Sequence, residues 1–62
     1  MQVFIVMVES IYDGSSHWQV DRTFVSMQSA EEYIKLRKLD YARSRLAYDM
    51  PEFEIEVEEV YA

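Results

Sequence analysis

Cysteine is absent from this chain of 62 residues, which excludes both a disulfide framework and a thiolate metal site. A reducing, cytoplasmic setting is expected to suit it. Glycine and proline occur once each, as Gly14 and Pro51, so there is no glycine-rich loop to cradle a phosphate. Histidine is also single. His17 falls at an expected hairpin, and no serine or second histidine stands at a spacing that marks a nucleophilic triad. Carboxylates are plentiful, but acid-base catalysis needs a cleft that separates their pKa values, for which so small a single-layer domain has little room. No enzyme activity and no cofactor are expected.

Long apolar runs are lacking too. The longest is "VFIVMV" at positions 3–8, far short of the roughly 20 residues that span a bilayer. No basic leader precedes it, so it is expected to be a buried strand and not a targeting segment. Basic charge is scarce: 6 lysines and arginines stand against 12 acidic residues, a formal net charge of −6. Direct contact with DNA, RNA or anionic lipid is therefore not expected, because each requires phosphates to be neutralised. The natural partner is a protein with a basic surface. Apart from Arg22, the cations crowd together as Lys35, Arg37, Lys38, Arg43 and Arg45, which leaves the rest of the chain still more acidic.

What is present is the composition of a folded domain: half the residues are hydrophobic and 15% are aromatic, well outside the disordered range. Positions 1–62 form one domain, near the lower limit at which a single core can hold a fold. From Gln2 to Tyr12 the chain is strand-like and apolar at both parities until Glu9, as a central strand would be. "DGSS" at 13–16 follows as a turn. A return strand over about 17–26 alternates, with Trp18, Val20 and Phe24 on one side and His17, Gln19, Asp21 and Thr23 on the other, while Arg22 interrupts the apolar side. "SAEE" at 29–32 predicts a capping box with Ser29 as N-cap and Glu32 reaching back. The helix is expected to start near Ala30 and run to about Tyr48, with a break near Leu39 and Asp40 as an alternative. A last strand over about 52–61 would bury Phe53, Ile55 and Val57, and the doubled Glu58 and Glu59 suggest a bulge before Val60.

The predicted fold is thus α+β, in the order ββαβ, with a three-stranded antiparallel sheet of strand order 2-1-3 and one long helix on one face. The covered face would carry Phe4, Val6, Val8, Trp18, Val20, Phe24, Phe53, Ile55 and Val57. The other face would show Val3, Ile5 and Met7 beside Glu52, Glu54, Glu56 and Glu58. These residues, with Glu59, are the expected contacts for a basic partner: the glutamates would speed encounter and the apolar stripe would supply a desolvated centre. A purely solubilising edge would account for the charge without a partner. "EFEIEVEE" lacks the turn and ligand spacing of a calcium loop, so no metal site is expected.

The helix poses a second problem. At about 100° per residue, Ala30, Tyr33, Ile34, Tyr41 and Tyr48 cluster on one side and Leu36, Leu39, Leu46 and Ala47 nearly opposite. Only one side can pack on the sheet, so Leu36, Leu39, Leu46, Tyr41 and Tyr48 are candidates for self-association, with a homodimer expected.

"MQVFIVMVES", "FVSMQSAEEYI" and "FEIEVEEV" together resemble small ββαβ proteins of phage and bacterial genomes. The resemblance implies no activity or binding residues. It does imply a context, that of small acidic proteins acting in the host cytoplasm as inhibitors or regulators of a nucleic-acid-handling or defence protein. A structural self-assembly module is the other expectation.

Overall fold

The computed structural model describes residues 1–43 and 50–61. Its elements are β1 (Gln2–Tyr12), β2 (Ser15–Phe24), α1 (Met27–Arg43) and β3 (Phe53–Glu59). The three strands form one antiparallel sheet in the order β2-β1-β3. The ββαβ arrangement and strand order are those the hydrophobic pattern predicts. The reason is steric: after a hairpin, a helix that crosses the sheet returns the chain at the free edge of β1.

The hairpin closes on two residues. Tyr12 pairs with Ser15, and between them Asp13 and Gly14 have φ of 50° and 80°. Positive φ at both central positions gives a turn whose twist matches that of the strands, and Asp-Gly is among the residue pairs that tolerate it best. The turn is therefore tighter than the four residues of "DGSS", and β2 begins and ends two residues earlier than the alternation suggests.

The helix also begins earlier. The Ser29 amide donates to Ser26 Oγ at 3.1 Å, the Ser26 hydroxyl donates to Ser29 Oγ at 2.9 Å, and the Ala30 amide donates to the Ser26 carbonyl at 3.2 Å. Ser26 is thus the N-cap, satisfying one of the orphan amides of the first turn. The box expected at Ser29 and Glu32 is not used, and Glu32 instead accepts from Gln28 Nε2 at 3.2 Å. The first serine at a strand exit can cap as soon as the chain turns, and Ser26 stands one turn ahead of its competitor. The helix is continuous through Leu39 and Asp40 to Arg43, which rules out the break expected there as an alternative. The rest of the expected helix, with Leu46, Ala47 and Tyr48, lies outside the described residues.

α1 lies over β1 and β2. It presents Ala30, Tyr33, Ile34, Arg37 and Tyr41 to the sheet side and leaves Leu36 and Leu39 exposed. The tyrosine side therefore packs and the leucine side does not. Tyr41, expected at a self-association surface, is half-buried, with the Arg37 guanidinium 5.7 Å from its ring centre. Among the described residues only Val6 and Ala30 are fully buried. The accessible surface is 4921 Å², whereas a compact monomer of this mass exposes about 4,200 Å². Among the described residues the fully buried core is small, and apolar surface remains outside it.

Candidate functional site

Registration of the strands decides which side chains share the uncovered face. On β1 the even-numbered residues face α1, with Val6 at the centre and Val8 and Phe4 beside it, so Val3, Ile5 and Met7 face away. On β3, Glu54, Glu56 and Glu58 are the cross-strand partners of Met7, Ile5 and Val3. Apolar stripe and glutamate row are thus direct neighbours, as their parity predicts. Glu52 precedes the strand, and its carbonyl accepts from the Glu9 amide at 3.0 Å, which extends the row by one exposed carboxylate. Alternate residues of a strand are about 7 Å apart, close to the Debye length of about 8 Å in the cell, so repulsion along the row is modest.

Glu59 is not part of that face. It pairs with Gln2, on the helix-side parity, and its Oε1 lies 3.1 Å from the Met1 ammonium. The β3 ladder runs without a shift from Phe53 to Glu59, so the bulge expected at Glu58 and Glu59 is absent there. The doubled glutamate is simply the end of a regular strand.

The bulge lies in β2 instead. Val6 pairs with Arg22 but Met7 pairs with Val20, which leaves Asp21 as the extra residue. From that point the parity of β2 reverses. Phe24 and Arg22 share the face of Phe4 and Val6, but Val20 and Trp18 share the face of Met7 and Glu9. Trp18 and Val20 are therefore not beneath the helix; they stand on the uncovered face, 40% and 63% exposed. The polar residues expected to flank the stripe, His17 and Gln19, take the other face opposite Ser10 and Val8, and only Thr23 keeps its expected place, beside Ile5.

Asp21 explains why the bulge holds. Its side chain, 18% exposed, turns toward α1, where Oδ2 accepts from the Tyr33 hydroxyl at 3.0 Å and lies 3.6 Å from Arg37 Nε. Arg22 on the adjacent position places its guanidinium 5.6 Å from the Tyr33 ring centre, and Phe24 stacks obliquely on that ring at 5.3 Å. A carboxylate under a helix is costly unless it is bonded, and the bulge delivers Asp21 to the donor and the cation that bond it. Burial, then the hydrogen bond to Asp21 and its negative charge, push the Tyr33 hydroxyl above its ordinary pKa, against the opposing pull of Arg37 and Arg22.

The assembled face carries Val3, Ile5, Met7, Trp18 and Val20 in its middle, with Glu54, Glu56 and Glu58 along one side. Glu9 sits at its far end, taking a 2.6 Å hydrogen bond from Ser16 Oγ. No lysine or arginine of the sheet lies on it, since Arg22 points to the helix. Sequence alternation misses Trp18 and Val20. The signal that could have found them is Arg22, a cation standing where strict alternation demands an apolar residue.

A groove of about 570 Å³ lies at the end of α1 and is bordered by Glu9, Arg37, Tyr41, Met50 and Pro51. Glu9 is the one carboxylate among the described residues of its wall. Among the described residues no group of three histidine, aspartate or glutamate side chains is placed to hold a metal ion, and no helix is long and apolar enough to cross a membrane. Comparison with protein-family models, with curated proteins and with solved structures finds no match.

Proposed function

We propose that this chain is a non-enzymatic protein-binding module whose uncovered sheet face receives a partner with a basic surface, acting as an inhibitor or regulator of that partner. The observation that carries the reading is the composition of this face: an apolar centre that includes Trp18, an acidic side of Glu54, Glu56 and Glu58, and, among the described residues of the sheet, no lysine or arginine. Interfaces favour such a layout. Tryptophan and methionine are enriched at their desolvated centres, tryptophan supplies many of the residues that dominate binding energy, and a charged rim of one sign steers an oppositely charged partner at low salt. Proteins that handle nucleic acid present such basic surfaces, which makes them the partner class of choice and fits the resemblance to small phage proteins. The setting for this reading is the cytoplasm.

The experiment is affinity capture from bacterial lysate on three columns: the native chain, Glu54→Lys with Glu56→Lys, and Trp18→Ala. A partner retained by the native chain at low salt, released at high salt and lost from both variant columns is the expected result. A partner retained equally by all three would remove this face from the mechanism. Both variants should stay folded, because neither site faces the helix.

A further inference from the structure

The outer side of α1 carries a pattern that the sheet does not use. Glu32, Leu36, Leu39 and Arg43 follow one another at intervals of 4, 3 and 4 residues, the spacing of a coiled-coil seam. All four are exposed, Leu36 by 62% and Leu39 by 48%, and they lie roughly opposite Ala30, Tyr33, Ile34 and Tyr41, which face the sheet side.

The pattern is also symmetric in charge. Reversed end to end, the row places Glu32 against Arg43, Leu36 against Leu39, Leu39 against Leu36 and Arg43 against Glu32. A second helix of the same sequence laid antiparallel therefore meets apolar with apolar and anion with cation at every layer. Laid parallel, it would stack Glu32 on Glu32 and Arg43 on Arg43, so only one orientation is favoured. An isologous two-fold axis requires this kind of self-complementarity.

We propose that α1 is the contact surface of an antiparallel homodimer, in which two leucine layers are bounded at each end by a Glu32–Arg43 pair. The second copy is the occupant because the charges match this chain's own. The uncovered sheet face, by contrast, has carboxylates and, among the described residues of the sheet, no lysine or arginine with which to complement itself. The two surfaces lie on opposite sides of the molecule, so the dimer carries two outward-facing partner faces. The seam from Glu32 to Arg43 is about 17 Å long on a helix about 10 Å across, a footprint of roughly 200 Å² and well under the roughly 800 Å² per partner of a standard interface, so the dimer is weak and its population depends on concentration.

The test is sedimentation velocity on the full chain from about 10 µM to about 1 mM, a range that brackets a weak dissociation constant. The native chain is expected to shift from monomer to dimer across it. Glu32→Arg and Arg43→Glu should each weaken the dimer by about tenfold or more, because each places like charges at both ends of the seam. Mixing the two variant chains should restore it, since every end pair is then again one anion and one cation. The double substitution on one chain should do the same. A native chain that stays monomeric throughout, or a dimer that both single substitutions leave unchanged, overturns the proposal. If a single variant loses helical circular dichroism, the double substitution decides. With its helix intact, it supports the proposal by dimerising at native strength and overturns it by remaining monomeric.

Discussion

Asp21 does more than any other single residue to set the arrangement of this molecule. It is the extra residue of the β2 bulge, the acceptor of the Tyr33 hydroxyl and the counter-charge of Arg37. Its replacement by alanine would leave the Tyr33 hydroxyl without its acceptor and Arg37 without its counter-charge beneath the helix. A loss of stability of about 1–3 kcal/mol is expected, read as a lower urea midpoint at unchanged m. The same residue predicts a pH effect. Because the Tyr33 hydroxyl is held above the ordinary value of 10.0, folding favours its protonated form. The associated stability is fully present below pH 10 and is lost as pH rises through the folded-state pKa. Ultraviolet titration, with Tyr33→Phe to identify its contribution, should show Tyr33 ionising at lower pH in Asp21→Ala; an unmoved Tyr33 titration would detach it from Asp21.

Among the elements, the strands and their order follow from the sequence because apolar parity, the lone glycine and the lone proline all agree on them. The exact helix start does not, because two serines three positions apart satisfy the same capping rule and only the path of the chain out of β2 chooses between them. The choice of Ser26 is measurable. Ser26→Ala should cost about 1 kcal/mol, whereas Ser29→Ala should cost clearly less, since Ser29 contributes to the cap chiefly through its backbone amide. Equal costs would mean that the caps exchange. The glutamate row and the stripe of Val3, Ile5 and Met7 were visible in the sequence for the same reason as the strands: both lie where the ladder is unbroken. Trp18 and Val20 were hidden because the one mark on the alternation, Arg22 at an apolar position, does not say where the parity reverses; the support of the bulge comes from Tyr33 and Arg37, distant in sequence.

At the scale of the whole molecule, one layer of helix on one layer of sheet leaves two unlike surfaces exposed: an acidic, tryptophan-bearing sheet face and a charge-symmetric helix face. The division of faces makes a prediction that sets stability apart from binding. Trp18→Ala should change the free energy of unfolding by about 1 kcal/mol or less, as on a surface. Phe24→Ala, which removes the ring packed on Tyr33, should cost about 2–3 kcal/mol, somewhat below the range for a fully buried aromatic. Chemical denaturation of the two variants side by side checks it, and a larger loss for Trp18 would return that side chain to the core. The reversal at Asp21 also has a genetic reading. A lineage that lost the codon for Asp21 would restore strict alternation and leave the pairing as it stands, Val20 opposite Met7 and Arg22 opposite Val6, so Trp18 and Val20 would stay outward. It would keep the binding surface and give up the carboxylate that ties β2 to Tyr33 and Arg37 of the helix.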